Sequence, residues 1–146
     1  MITSATYNDY SAIMELWELS VKATHNFLPE DYFQEIRTLL PAILPQVKLY
    51  TWQESDGVIK GFAGVSKQKI EMLFIHPGKI RQGLGRQLIM FCVHSLKIDK
   101  VDVNEQNEQA VHFYKKMGFK MTGRHELDSM GKPYPILEMQ HNLAKN

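Results

Sequence analysis

Residues 71–93 read Glu71-Met72-Leu73-Phe74-Ile75-His76-Pro77-Gly78-Lys79-Ile80-Arg81-Gln82-Gly83-Leu84-Gly85-Arg86-Gln87-Leu88-Ile89-Met90-Phe91-Cys92-Val93. At its start Ile70, Met72 and Phe74 alternate with Glu71, Leu73 and Ile75, the two-residue period of a sheet strand. Pro77 and Gly78 stop that strand. From Leu84 the period lengthens: Leu84, Leu88 and Cys92 fall at i, i+4 and i+8, with Ile89 and Val93 beside them, the apolar stripe of a helix. Between strand and helix lies the loop from Arg81 to Arg86, whose two glycines let the backbone approach a ligand with no Cβ in the way. The helix starts in the same place, so its unpaired N–H groups and the positive end of its dipole face into the loop. Such a loop suits an anion, and a phosphate is the natural guest. The lysine-serine pair of a nucleotide-triphosphate loop is missing, as is a complete G-x-G-x-x-G. Taken alone, the glycine pair also fits a plain tight turn with solubilising arginines.

Working outward toward the N-terminus, residues 69–76 form the strand just described, closely preceded by strands over 47–53 and 58–65. Those two flank Ser55-Asp56-Gly57, a hairpin signal. Residues 2–7 predict a short first strand. Asn8 or Asp9 can cap a helix that runs to about Lys22, with Ile13, Leu16, Trp17 and Ser20 on one face. A second helix starts at Pro29, with Glu30 and Asp31 in its first turn and Phe33, Ile36 and Leu40 inside. Pro41 is expected to end it. Toward the C-terminus, residues 100–103 predict a strand one helix after the central one, hence parallel to it through a right-handed crossover. Asn104 or Asn107 caps a helix whose inner face is Ala110, Phe113, Tyr114 and Met117, and Gly118 terminates it. Residues 119–126 and 136–141 predict two last strands. The order β-α-α-β-β-β-α-β-α-β-β describes one α/β domain over residues 1–146 with a mixed sheet.

The 146-residue chain is long enough to bury a sizeable core, and its net charge of +1 gives no global field to recruit nucleic acid. One cysteine excludes an internal disulfide framework. No apolar run reaches the roughly 20 residues that span a bilayer, and no secretion signal is visible at the N-terminus. The expectation is therefore a cytoplasmic protein with no membrane partner. The six histidines show no zinc-like spacing with cysteines or acids, so no metal is expected.

Two separated patterns then agree. The strand, loop and helix over residues 73–88 resemble the pyrophosphate-binding motif of the GNAT superfamily of N-acetyltransferases. Asn107-x-x-Ala110-x-x-Phe113-Tyr114-x-x-x-Gly118-Phe119 resembles that superfamily's second signature. More narrowly, Ala23-Thr24-His25, the run from Val103 to Val111 and Gly131-Lys132-Pro133-Tyr134-Pro135 are similar to the bacterial YjaB-type branch. The resemblance implies a GNAT-like fold whose two central strands splay apart, with acetyl-coenzyme A as donor and an amine as acceptor. It implies that the pyrophosphate sits on the N–H groups of Arg81, Gln82, Gly83, Leu84, Gly85 and Arg86. By the same resemblance the pantetheine arm pairs with the backbone of Leu73, Phe74 and Ile75, and Asn107 hydrogen-bonds the arm. One position departs from the pattern: where the family usually carries Arg or Gln, Ile80 offers only its backbone N–H.

Acetyl transfer to an amine needs a neutral amine, a polarised thioester carbonyl and a proton for the departing thiolate. Tyr114 matches the family's proton donor, and a phenol's ordinary pKa near 10 is on the order of a thiol's. By itself it reads first as the aromatic on a helix's inner face. Glu71, on the central strand just ahead of the coenzyme-contacting backbone, is the first candidate for the base; it reads equally as a surface carboxylate, and the amine can also lose its proton to solvent. His25 is the second candidate, in the helix–helix link that by resemblance walls the acceptor pocket with Trp17 and Phe27. Asn104 and Tyr134 complete the substrate candidates. Cys92 reads as a small core residue. Lys79, Arg81 and Arg86 could touch RNA phosphates, but without interleaved aromatics they read as a coenzyme phosphate site. A non-catalytic acyl-coenzyme A sensor is the competing function. The acceptor amine and the oligomeric state, a homodimer among the choices, are left open.

Overall fold

The computed structural model describes residues 1–142. The chain runs β1 (Ile2–Ser4), α1 (Tyr10–Thr24), α2 (Glu30–Ile43), β2 (Lys48–Gln53), β3 (Ile59–Ser66), β4 (Lys69–Ile75), α3 (Leu84–Met90), β5 (Lys100–Asn104), α4 (Glu108–Lys116), β6 (Phe119–His125) and β7 (Ile136–His141). The expected order of elements is found. The strands make a seven-stranded mixed sheet in the order β1-β2-β3-β4-β5-β7-β6. Strand β5 runs parallel to β4, paired over Lys69↔Lys100 and Ile70↔Val101, as a strand reached by one crossover helix should. β7 is antiparallel to both β5 and β6, so the final hairpin places its second strand, not its first, beside β5.

The chain divides into two compact units. The first holds Met1–Ser66 and Glu71–Leu88. Its core joins Ile13, Leu16, Trp17 and Val21 of α1 to Phe33 and Leu40 of α2 and to Leu49 and Phe62 of the sheet, with Met72 and Phe74 of β4 packed against it. β1 is shorter than expected. Ala5 N–H still donates to Leu49 O (2.9 Å), but Thr6 N–H donates to the Asp9 carboxylate (2.9 Å) and starts a 3₁₀ turn that leads into α1. Pro41 does not end α2. A proline removes the bond to the carbonyl one turn earlier and crowds that carbonyl, yet the helix continues until Leu44 N–H donates to Leu40 O. The Asp56-Gly57 turn forms as expected. Gly57 takes φ +86, and Asp56 Oδ1 accepts from Val58 N–H at 3.0 Å.

The second unit holds Lys67–Ile70 and, among the described residues, 89–142. Here the helical stripe continues through Cys92 and Val93, both fully buried, but not as α-helix. Phe91–Ser95 form a π turn in which Leu96 N–H donates to Phe91 O (3.2 Å). Val101 and Val103 of β5 stand beside Met139 and Leu137 of β7, and all four are buried. Gly118 ends the α4 region with φ +100. A Cβ there would lie 2.9 Å from His141 Nε2, so the conformation favours glycine and an added methyl would have to displace the His141 ring.

Candidate active site

In the first unit, β4 ends in a 3₁₀ turn, Pro77–Lys79, capped by His76, whose Nδ1 accepts from Gly78 N–H (3.0 Å). The loop that follows is left-handed at two places, Arg81 (φ +68) and Gly83 (φ +88). A non-glycine residue in that region costs of order 1–3 kcal/mol, which persists where the surroundings impose it. A Cβ on Gly83 would meet nothing within 4 Å, so glycine serves the conformation and leaves open space beside it. The first helical bond of α3 is Gln87 N–H to Gly83 O (3.0 Å). The N–H groups of Leu84, Gly85 and Arg86 therefore have no partner within the helix. Buried Leu84 anchors the turn, and Trp52 Nε1 donates to Gln87 Oε1 (2.8 Å), tying α3 to β2. Gln82 Nε2 donates back to Gly78 O (3.3 Å). Lys79 is held by Glu54 (3.3 Å), so of the three expected cations only Arg81 and Arg86 lack an acidic partner among the described residues. Ile80 is 39% exposed and its backbone extended.

Strand alternation decides which way the neighbours on β4 point. Phe74 turns to the core side, its ring 5.5 Å from Phe62 and 6.3 Å from His25. Ile75 turns the other way, toward Gly61, beside which Leu88 of α3 also lies. Glu71 and Leu73 share the parity of Ile75. Glu71 is exposed and accepts from Ser66 Oγ (2.7 Å). The two candidate bases, Glu71 and His25, thus belong to opposite sides of β4.

His25 closes α1, its N–H donating to Val21 O (2.8 Å) and its ring 5.4 Å from Phe27. Its Nδ1 is 2.8 Å from Thr24 Oγ1. Burial pushes the imidazole down to about 4, so it is neutral near pH 7. Trp17 is 5% exposed and stacks on Phe33 (5.3 Å between rings) within the core. Its edge also lines a shallow cavity of about 240 Å³ with Ser11, Met14, Glu15, Glu18, Arg37 and Leu40, to which no other predicted site residue contributes.

In the second unit Tyr114 is 5% exposed, with the Phe113 and Phe119 rings at 5.4 and 5.5 Å, each near edge-on. Desolvation, and secondarily repulsion from Cys92, raise the phenol above its ordinary value and keep it protonated. Burial likewise pushes the Cys92 thiol up to about 11, so it is no ready nucleophile. Asn107, not Asn104, caps α4: its Oδ1 accepts from Ala110 N–H (3.2 Å), which leaves Nδ2 to donate elsewhere. Asn104 closes β5 opposite Ile136, and its Oδ1 is sealed without a hydrogen-bond partner. Tyr134 is half-buried in the β6–β7 connection, its N–H donating to Lys132 O (2.8 Å). Sequence reasoning missed the contacts that orient these groups: Thr24 on His25, Phe74 against His25, and Cys92 beside Tyr114. Only the Thr24-His25 adjacency was visible beforehand.

A strand leading into a left-handed, cation-bearing loop at a helix start suits a phosphate-bearing ligand. The acetyltransferase (GNAT) domain model matches residues 20–133, and the chain belongs to that family. It is an acetyl-CoA-dependent acetyltransferase. It is 39% identical over 140 residues to peptidyl-lysine N-acetyltransferase YjaB of Escherichia coli K12, covering 96% of this chain and 95% of that one. Peptidyl-lysine N-acetyltransferase YiaC of the same organism is 28% identical over 82% of each. The solution structure of apo YjaB from Escherichia coli superposes with a TM-score of 0.90, at 38% identity over 97% of both chains. The PaiA N-acetyltransferase of Thermoplasma acidophilum, solved with coenzyme A, shares the fold (TM-score 0.75, 20% identity, 97% and 98% coverage).

Proposed function

We propose that the protein acetylates the ε-amine of lysine in polypeptides, by direct transfer with both substrates bound, in the cytoplasm, and that residues 1–146 work as one acetyltransferase domain. The observation that carries this reading is the 39% identity to a peptidyl-lysine acetyltransferase across 96% of the chain, a span that takes in nearly every element.

The donor supplies acetyl as a thioester. The residues present suit it: free N–H groups at Leu84, Gly85 and Arg86, open space at Gly83, and two exposed arginines. In this reading the N–H groups from Ile80 to Arg86 hold the pyrophosphate, with Arg81 and Arg86 adding charge. The backbone of Leu73, Phe74 and Ile75 pairs with the pantetheine arm, and one N–H of β4 faces the charge that develops on the carbonyl oxygen. Asn107 donates from Nδ2 to the arm while Oδ1 keeps capping α4. Tyr114 gives its Oη proton to the departing sulfur; burial keeps the phenol protonated while making it a weaker acid than the ordinary phenol matched to a thiol. Glu71 takes a proton from the amine, directly or through a water. The raised Cys92 thiol supports direct transfer rather than a covalent acyl-cysteine. The ion pair of Lys79 with Glu54 weakens the case for RNA as a partner, and among the described residues no helix is long and apolar enough to cross a membrane.

The test is an incubation with acetyl-CoA and, separately, an N-terminally blocked lysine peptide, free lysine and spermidine, read by mass spectrometry. The expected product is the ε-acetylated peptide. Turnover confined to the free amines would overturn the acceptor assignment.

A further inference from the structure

One hydrogen-bond chain at the end of α1 fixes more than the position of a histidine. Thr24 Oγ1 donates its single proton to Ser20 O at 2.8 Å. The same oxygen lies 2.8 Å from His25 Nδ1. With its proton already committed, Oγ1 can only accept, so Nδ1 carries the hydrogen of the neutral ring. The other nitrogen, Nε2, is then a bare lone pair, and no described residue bonds to it. The ring stands 5.4 Å from Phe27 and 6.3 Å from Phe74. The Phe27 and Phe74 rings beside the imidazole offer aromatic surface that suits an amine or ammonium group. Phe74 also connects this histidine to the chemistry, since its backbone belongs to the strand read above as holding the coenzyme arm.

We propose that His25 Nε2 accepts an N–H of the acceptor amine and orients its lone pair for attack, with Thr24 setting which ring nitrogen is free. This rests on the acetyltransferase reading and makes His25 a positioning residue. It does not make it the base. An imidazole near 4 lies roughly six units below a lysine amine, so it would hold a proton taken from that amine about a millionfold too weakly.

Two measurements test this. In the free protein, the ¹⁵N shifts of His25 should show a protonated Nδ1 and a pyridine-type Nε2. Titration with the N-terminally blocked lysine peptide, without coenzyme, should shift Nε2 and leave Nδ1 in place. A protonated Nε2, or no shift when the peptide saturates, overturns the proposal. In kinetics, His25→Asn keeps a donor near Nδ1 and lacks Nε2, whereas His25→Gln can place an amide oxygen near Nε2. We expect His25→Asn to lower kcat/KM for the peptide about tenfold with coenzyme Kd unchanged, and His25→Gln to recover most of the loss. Equal activity in wild type and His25→Asn, or an equal rise in coenzyme Kd, overturns it. Thr24→Val, which leaves the ring in place, should lower the same ratio without altering coenzyme Kd. Peptide binding that moves Nε2 in a protein that acetylates no peptide would support His25 and refute the acceptor reading, so the two failures are distinguishable.

Discussion

Burial drives His25 and Tyr114 in opposite directions and leaves both uncharged. For His25 the consequence is a pH-dependent stability. Its folded pKa of about 4 lies below the unfolded value of 6.5, so the unfolded chain binds the proton first. Above pH 6.5 the group contributes nothing; as pH falls from 6.5 to 4 it removes on the order of 3 kcal/mol. Urea unfolding at pH 7.5 and pH 4.5 should therefore show a larger acid loss for wild type than for His25→Gln. Equal losses would mean that the imidazole is not buried as described. Gly83 makes a second residue-level case. Alanine there meets no neighbour but must hold φ +88, so Gly83→Ala should cost about 1 kcal/mol in urea unfolding. Its coenzyme Kd should rise as well, because the methyl enters the space read as the phosphate's.

At the scale of elements, the periodicities that marked α1 and α3 reappear as buried faces, because burial is what a period of 3.6 reports, while on α4 only Tyr114 of the expected inner face is buried and Ala110, Phe113 and Met117 are half-buried. The π turn was invisible for the same reason: Leu84, Leu88, Ile89, Cys92 and Val93 are all buried whether the backbone closes at four or five residues. Pro41 misled because a proline breaks one bond, and near a helix end one bond is dispensable. Trp17 could not be sorted between pocket and core, since an aromatic on a helix's inner face suits both; its stacking on Phe33 puts it in the core. The opposed directions of Glu71 and His25 needed the contact of His25 with Phe74, which a sequence does not display. Gly118 gives the element-scale prediction. With φ +100 and His141 Nε2 at 2.9 Å from any Cβ, Gly118→Ala should destabilise by about 2 kcal/mol. Loss of the α4–β6 connection would appear first as faster amide exchange at Phe119. Unchanged exchange and stability would contradict that packing.

At the scale of the molecule, fold and family were legible because two motifs, 73–88 and 107–119, sit at the right separation within the right order of elements. Strand order was less so: placing β7 between β5 and β6 is a long-range pairing that no local pattern encodes. The acceptor was not legible, since residues far apart in sequence and individually ordinary would form its site. The central claim is direct acetyl transfer to lysine with Tyr114 as proton donor. Its most direct test is acetyl-CoA-dependent thiol release with a blocked lysine peptide, comparing wild type and Tyr114→Phe, with coenzyme Kd measured on the same samples. The account predicts turnover in wild type that falls at least tenfold in the variant while coenzyme Kd stays within about twofold. Equal turnover in the two proteins would contradict it and leave Tyr114 as an aromatic of the core.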